Sequence, residues 1–387
     1  ELLRGWALTG FPWLSIGYAH IDGPLAGFAS WIGVYGIGAL AATVAALAGL
    51  GARALLTGPR RFPGLTAPAA LAAGMLVLGG LLAHQEPTRP VGAPVTVRLV
   101  QGNVPQQMKF DRGRALRAIE DYARQIESST AGLVVLPETA WTVPWPHTPP
   151  EIADRIRRHA DRSGAAVAIG MPLTEATGPR DGRLHYTNSV ALIAAGADPA
   201  APPARYDKRH LVPFGEFVPT GFRWFVDLMR IPLGDFARGR ADQAAFEVGG
   251  QRFAFNICYE DLFGEELLGA IRAPRGATVL VNVSNIAWFG DSHALPQHLA
   301  IARMRALETG RPMLRATNTG VTASIDHRGR VLSVLPPYTQ GALDVQVQGT
   351  GGLTPYVRFG NLPSALLAVS MVAIAAVAAG LARTRKR

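Results

Sequence analysis

The hydrophobic positions of the chain follow two different patterns. Three long stretches, residues 23–52, 62–85 and 359–382, contain no Asp, Glu, Lys or Arg. Each reaches about the 20 residues that a helix needs to cross a bilayer. Their glycine and alanine content also suits close packing between membrane helices. The pattern predicts three membrane-spanning helices, and buried core helices of a soluble protein are the alternative.

Between the second and third stretches, short apolar runs alternate with amphipathic segments. The apolar runs are rich in Val, Ile and Phe and predict strands at residues 95–101, 132–138, 165–172, 189–195, 252–259 and 278–284. Helical patterns occupy residues 112–128, 151–162 and 297–309. This alternation predicts an α/β fold whose helices cover the sheets. The segment "VTASIDHRGRVLSVL" predicts a hairpin, so we expect mixed sheets.

Positive charge in the short flanks predicts how the chain is oriented. Basic residues lie between the first two apolar stretches and after the third: Arg53, Arg60, Arg61, Arg383, Arg385, Lys386 and Arg387. Such flanks mark the cytoplasmic side of a membrane. We therefore expect a partial bundle of membrane helices at residues 1–93 and one extracytoplasmic domain at residues 94–350. Residues 351–387 would form a C-terminal membrane helix with a basic cytoplasmic tail.

The net charge of +10 raises the possibility of nucleic-acid binding. The basic residues are scattered, however, and no helix-turn-helix, zinc-finger or RNA-recognition signature is present. Membrane topology accounts for part of the charge, so we expect no nucleic-acid partner.

Because the chain starts at Glu1 inside an apolar, aromatic segment, we also expect that natural N-terminal residues are missing.

Three polar side chains occupy positions that suit chemistry. Glu138 and the only cysteine, Cys258, each end a predicted strand, where functional groups gather in α/β sheets. Lys208 is one of few lysines among 38 basic residues, in a chain otherwise biased to arginine. A compact ammonium can do work that a guanidinium cannot. The alternatives are a small buried hydrophobe for Cys258 and a solvated charge for Lys208.

A working cysteine needs a base to take its proton and a positive charge to favour the thiolate. Glu138 could be that base. Lys208 could stabilise the thiolate and then an oxyanion, together with the backbone N–H that follows Cys258; one such donor is worth about 3 kcal/mol. A histidine partner is the competing device, but the nine histidines show no family-specific pattern. No HExxH or CxxC motif indicates a metal.

The motifs "LPE", "YDKRHLVPFGE" and "CYE" resemble the Glu-Lys-Cys triad of the nitrilase superfamily of carbon–nitrogen hydrolases. Longer strings, including "QGNVPQ", "ICYEDLFGE", "NVSNIAWFGDS" and "ARMRALETGRPMLRATNTG", resemble the apolipoprotein N-acyltransferase branch. The resemblance implies an α-β-β-α sandwich on a transmembrane helical bundle of a bacterial inner membrane, facing the periplasm. It also implies further membrane helices before Glu1.

The activity implied by the resemblance is acyl transfer without metal or cofactor. A phospholipid, usually phosphatidylethanolamine, would give its sn-1 acyl chain to Cys258 as a thioester. The acceptor would be the α-amino group of the S-diacylglyceryl cysteine of an apolipoprotein, and a monomer would suffice. A membrane-tethered amidase or nitrilase that passes the thioester to water is the alternative enzyme. A catalytically silent membrane scaffold is the alternative of another class.

The resemblance also implies roles for residues around the triad. Glu216 would orient Lys208 or the acceptor amine. Tyr259 and Glu260 would shape the turn after the nucleophile, and Asn188 would supply local hydrogen bonding. An ordinary loop carboxylate is the alternative for Glu216, and the start of a helix is the alternative for Tyr259 and Glu260.

Four aromatic residues are candidates for contacts with lipid. Trp288 would lie near the acyl groove, and Phe110 would make an aromatic contact. The segment 214–236 is unusually aromatic and could dip into the headgroup region as a lid, with Trp224 and Phe225 on its apolar face. The alternative for each of them is ordinary packing.

Overall fold

The computed structural model describes residues 1–57, 66–105, 112–175, 185–219, 221 and 236–384. The chain divides into two compact units. The first comprises Glu1–Thr88, Leu307–Gly310 and Gly352–Arg387, and the second comprises Arg89–Ala306 and Arg311–Gly351. Tertiary contacts are concentrated within each unit, as expected of separate folding regions.

The first unit is helical. Short 3-10 turns precede α1 (Ala29–Thr57), and the other helices are α2 (Thr66–Leu82), α7 (Pro355–Phe359) and α8 (Leu362–Thr384). Helix α1 bends at Gly33, whose φ of +64° is a conformation that glycine adopts readily. The ring of Tyr356 fills the space that a Cβ at Gly33 would occupy. The bend therefore needs glycine for two reasons, its backbone angle and its lack of a side chain.

Within the described part of the chain, one helix is long and apolar enough to cross a membrane. It comprises Pro24–Arg53, which is the 3-10 turn Pro24–Phe28 followed by most of α1, and its mean hydropathy is 1.8. It coincides with the first predicted span, at residues 23–52. Two further apolar segments, Ala67–Leu82 in α2 and Leu362–Val377 in α8, are 10–17 residues long. The spans predicted at residues 62–85 and 359–382 stay predictions.

Small residues allow close packing inside this helical unit. A Cβ added to Gly27 would collide with the carbonyl oxygen of Gly79 in α2, and one added to Gly79 would collide with the carbonyl of Pro24. The backbones approach closely because neither position carries a side chain. This is the kind of packing that a glycine- and alanine-rich helix makes possible.

The second unit contains two six-stranded mixed sheets. The first sheet has the order β13-β2-β3-β4-β5-β6. Its strands are β2 (Val95–Gln101), β3 (Leu133–Val135), β4 (Ala166–Thr174), β5 (Tyr186–Ile193), β6 (Ala204–Asp207) and β13 (Gly341–Val347). Strands β2, β3 and β4 are parallel, whereas the remaining pairings are antiparallel.

The second sheet repeats this arrangement with the order β12-β11-β10-β9-β8-β7. Its strands are β7 (Phe246–Val248), β8 (Gln251–Ile257), β9 (Val279–Ser284), β10 (Met313–Thr317), β11 (Ala323–Ile325) and β12 (Val331–Val334). Strands β8, β9 and β10 are parallel. Strands β11 and β12 form the predicted hairpin. A short ribbon joins β1 (Arg89–Pro90) to β14 (Thr350–Gly351).

Alternation along the strands separates two cores. Leu133 and Val135 of β3 belong to the cluster that also contains Val281 of the second sheet, whereas Val134 between them belongs to the other cluster. That second cluster includes Ile126 and Ile156, from the helices on the outer side of the first sheet. Those helices are α3 (Arg112–Glu127) and α4 (Pro150–Ser163); the unit also has α5 (Gly264–Arg272) and α6 (Ala294–Thr309). The layers confirm the predicted nitrilase-type α/β fold.

Candidate active site

The three residues singled out by chemistry each follow a strand. Glu138 comes three residues after the end of β3, Lys208 directly follows β6, and Cys258 directly follows β8. The first two come from one sheet and the third from the other. Because β3 and β8 belong to the parallel part of their sheets, their carboxyl ends meet loops that can gather polar groups.

Glu138 is a buried carboxylate with three donors. Its Oε1 accepts hydrogen bonds from Asn188 Nδ2 at 2.7 Å and from Lys208 Nζ at 3.3 Å. Its Oε2 accepts one from the backbone N–H of Asn285 at 2.8 Å. Only 7% of the residue is exposed. Donors on both oxygens fix the carboxylate group in one orientation, as a positioned proton acceptor requires.

Lys208 lies between two carboxylates. Its Nζ is 2.9 Å from Glu216 Oε1, the same oxygen that accepts a 2.7 Å hydrogen bond from Asn188. The backbone N–H of Val212 donates to Glu216 Oε2. Burial opposes the charge on Lys208, but Glu216 and Glu138 outweigh it and hold the pKa of the ammonium above its ordinary value. Lys208 is therefore a permanent cation in this group.

Cys258 begins a short 3-10 turn, Cys258–Leu262, and has a φ of +52°. Few residues with a side chain adopt that conformation, and it often marks functional sites. Burial raises the pKa of the thiol to about 12; Glu138 raises it further, while Lys208 and the hydroxyl of Ser284 lower it. The resting cysteine is therefore a neutral thiol that needs a base when it reacts.

A ladder of asparagines supports the Cys258 turn from the neighbouring strand. Asn282 Nδ2 donates to the Cys258 carbonyl at 3.1 Å and to Asn256 Oδ1 at 2.7 Å. Asn256 and Asn282 are direct partners in the parallel pairing of β8 and β9. Sequence reasoning missed both residues. The available signal was an asparagine in the middle of each apolar run, "FNIC" and "VNVS".

Glu260 connects the segment after Lys208 to the Cys258 turn. Its Oε1 accepts hydrogen bonds from the backbone N–H groups of Arg209 and His210, at 2.6 and 3.0 Å. Its Oε2 accepts from the Ile257 N–H at 2.6 Å and from the Tyr206 hydroxyl at 2.9 Å. Burial raises the pKa of Glu260 to about 7, and the backbone donors oppose that shift. The carboxyl group spans two segments that carry predicted site residues.

The remaining predicted residues are less directly placed. Tyr259 is buried, and its ring centroid lies 5.2 Å from that of Phe263. Trp288 is 70% exposed, in a 3-10 turn that follows Asn285 closely. Phe110, Trp224 and Phe225 lie outside the described residues. The structure thus brings together Glu138, Lys208, Glu216 and Asn188, and their predicted roles stay predictions.

A family match over most of the second unit places the chain in the carbon–nitrogen hydrolase class. The family described as "Carbon-nitrogen hydrolase" matches residues 96–356, and the "Apolipoprotein N-acyltransferase N-terminal domain" matches residues 1–47. Of the solved structures, the C. elegans NitFhit protein has a TM-score of 0.50 and 17% identity, and the match covers 69% of this chain and 63% of that one. That likeness concerns the fold alone.

Curated relatives narrow the class to one family. The apolipoprotein N-acyltransferase of Ralstonia nicotianae is 51% identical over 380 residues, which cover 98% of this chain and 69% of the relative. The enzyme of that name from Bordetella bronchiseptica is 48% identical over 408 residues, covering 98% of this chain and 72% of the relative. The chain belongs to the apolipoprotein N-acyltransferase family, which confirms the resemblance seen in the sequence.

Proposed function

We propose that the protein N-acylates lipoproteins. It would move the sn-1 acyl chain of a phospholipid, such as phosphatidylethanolamine, onto the α-amino group of an N-terminal S-diacylglyceryl cysteine. The observation that supports this proposal best is the buried pair of Glu138 and Lys208, whose charges affect the pKa of the Cys258 thiol, in a chain of this family. No other described residue is a cysteine.

In the first half-reaction, Glu138 takes the proton of the Cys258 thiol as the sulfur attacks the ester carbonyl carbon. Lys208 and the backbone N–H of Tyr259 stabilise the negative charge that develops on the carbonyl oxygen. The tetrahedral intermediate then breaks its bond to the glycerol oxygen. Glu138 returns the proton to that oxygen, so lysophospholipid leaves and an acyl thioester remains on Cys258.

In the second half-reaction, the neutral α-amine of the lipoprotein attacks the thioester carbon. Glu138 accepts a proton from the nitrogen, and the C–S bond breaks to give the amide and the thiolate. The proton passes from Glu138 to the sulfur, which restores the starting state. Glu216, held by Asn188 and Lys208, is suited to keep the ammonium in place through both steps.

The membrane setting is part of the proposal. We infer a multi-pass inner-membrane protein with spans at residues 23–52, 62–85 and 359–382 and a periplasmic domain at residues 94–350. The long apolar helix Pro24–Arg53 and the matched N-terminal domain of the family support this topology. Trp288 and its neighbour Phe289, both exposed, are suited to meet lipid chains. We propose the monomer as the working unit.

Mass spectrometry of the full chain purified from membranes tests the proposal. We expect a mass increase equal to one fatty acyl group, removed by hydroxylamine and lost in the Cys258→Ala variant. Adding a diacylglyceryl peptide should clear the acyl group and yield N-acylated peptide. Release of free fatty acid without acylated peptide would instead support the hydrolase, and a chain that never acquires the acyl group would contradict both enzymes.

A further inference from the structure

A second buried cluster of polar side chains lies beside the nucleophile turn. Asp261, His298 and Arg315 come from the turn after β8, from α6 and from β10, and none has measurable exposure. His298 Nε2 is 2.9 Å from Asp261 Oδ1, Arg315 Nη1 is 2.9 Å from Asp261 Oδ2, and Arg315 Nη2 is 3.0 Å from His298 Nδ1. The three side chains close a ring of hydrogen bonds.

The ring fixes its own protonation state. A guanidinium only donates, so His298 Nδ1 must be the acceptor for Arg315 and the ring proton must lie on Nε2. That Nε2–H then donates to Asp261. Burial lowers the pKa of His298, which agrees with a neutral imidazole. The ring therefore holds one positive and one negative charge, with neutral histidine between them.

The ring is linked to the nucleophile through the backbone. Asp261 is the third residue after Cys258 in the same 3-10 turn. A hydrogen bond between His298 and the Cys258 backbone raises the pKa of the imidazole, against the effect of burial. The turn starts with the strained φ of Cys258, so it needs contacts that hold it in place. The ring supplies such contacts from two other elements.

The ring also places charge near the thiol. Arg315 Nε is buried and has no hydrogen-bond partner within the described residues, and an unsatisfied donor of a cation favours nearby negative charge. The charge of Asp261 raises the pKa of the thiol, and Arg315 and the thiolate attract each other. Eight other ionisable groups lie around the turn: Glu138, Lys208, Glu216, Tyr206, His210, Tyr259, Glu260 and Glu266.

We propose that Asp261, His298 and Arg315 are positioning residues for the Cys258 nucleophile: the closed ring fixes its turn, and the buried ion pair sets the charge around the thiol. The effect of the ion pair on the charge around the thiol requires only that Cys258 is a free thiol beside the ring. The positioning part rests on the proposed acylation of Cys258. A failure of one can therefore be told from a failure of the other.

The test is the rate of iodoacetamide alkylation of Cys258 in the full chain in detergent, from pH 7 to 10. Below the pKa of the thiol, this rate follows the thiolate fraction. Arg315→Met removes the positive charge, so we expect alkylation about threefold to tenfold slower at each pH. Asp261→Asn removes the negative charge, and we expect alkylation faster by a similar factor. A purely structural role predicts the same direction for both variants.

Two more variants separate charge and position from loss of packing. Arg315→Lys keeps the charge but cannot make both hydrogen bonds of the ring. We expect near-normal alkylation but at least tenfold slower acylation by phospholipid, in kcat rather than KM. Arg311→Met is the matched control, because Arg311 is another buried arginine, just before β10, whose Nε donates to the Ala277 carbonyl. It should leave alkylation unchanged.

Thermal unfolding of every variant identifies those that do not fold. The charge assignment is overturned if Arg315→Met and Asp261→Asn change alkylation in one direction, or if Arg311→Met matches Arg315→Met. The positioning assignment is overturned if folded Arg315→Lys acylates at the wild-type rate. Loss of acylation in the wild-type chain, with the opposite alkylation shifts intact, would count against the proposed function alone.

Discussion

Two buried clusters of charged side chains lie near the Cys258 turn, and they differ in net charge. The first cluster has the ammonium of Lys208 between the carboxylates of Glu138 and Glu216, which leaves one excess negative charge. In the second cluster, the charges of Asp261 and Arg315 neutralise each other, and the neutral His298 makes a hydrogen bond to each of them. The first cluster can take up a proton and become neutral. The second cluster is already neutral, and a proton would give it a net positive charge. It is therefore suited to holding the Cys258 turn in place and not to proton transfer.

The difference also appears in how the oxygens are used. Both oxygens of Asp261 are committed to partners within the closed ring. The Glu138 oxygens accept from three donors on separate segments, and among the described residues Oε2 has only the backbone N–H of Asn285 as its donor. Variants that remove one group at a time test the contrast.

Glu138→Gln should have the largest effect. The amide keeps the size of the side chain but cannot accept the thiol proton, so acylation of Cys258 should fall by about 10³ or more. The measurement is the rate of acyl incorporation by intact-protein mass spectrometry. Glu151→Gln, at an exposed glutamate in the first turn of α4, is the matched control and should acylate normally. Rapid acylation of Glu138→Gln would show that another group is the base.

Lys208→Met comes next, because it affects both activity and stability. It leaves Glu138 and Glu216 as buried like charges without their shared cation, which typically costs about 3–5 kcal/mol of unfolding free energy. We also expect acylation to fall about 10²- to 10³-fold from loss of the oxyanion partner. Denaturant unfolding and acyl incorporation measure the two effects. If the variant were as stable as the wild type, Lys208 would not be the charge that balances this cluster.

The parts of this picture that the sequence predicted are those written into local patterns. Strand β2 occupies the predicted residues 95–101, and the predicted helix at 112–128 is α3, because each follows from periodicity in a short window. Glu138 and Cys258 stand out because each interrupts an apolar run at a strand end. Lys208 stands out because lysine is rare in this chain.

The second cluster could not be found in this way. Asp261, His298 and Arg315 are far apart in sequence and lie on three different elements. None of the three stands out from the sequence around it, because charged and histidine residues are common in helices and strands. Only the sheet order and the packing of α6 bring them together. The Asn256–Asn282 pair depends on the register of two parallel strands, which alternation within each strand does not determine.

Glu260 joins the segments that carry the two clusters, and its titration should be visible in stability. Burial raises its pKa to about 7 from an ordinary 4.5, so the folded protein binds more protons than the unfolded chain between these values. The contribution of Glu260 to the free energy of unfolding is therefore present at low pH. It is lost as the pH rises from about 5 to 7, and the loss is up to about 3 kcal/mol. Urea unfolding at pH 5 and pH 8 measures it. Glu260→Gln should lack this part of the pH dependence, and an identical dependence in both proteins would contradict the assignment.

Ser284→Ala should give the smallest change in the reactivity of Cys258. It sharpens the comparison because Ser284 belongs to neither cluster of charged side chains. Ser284 ends β9, and its buried hydroxyl has no hydrogen-bond partner within the described residues. The hydroxyl is therefore available to donate to a thiolate, and it lowers the pKa of Cys258. Without its hydroxyl the thiolate is less favoured, so alkylation at pH 8 should slow by about twofold to fivefold. Ser324→Ala, at a buried serine of β11 in the same sheet, is the matched control. If Ser284→Ala alkylates at the wild-type rate, the ion clusters and burial alone set the reactivity of Cys258.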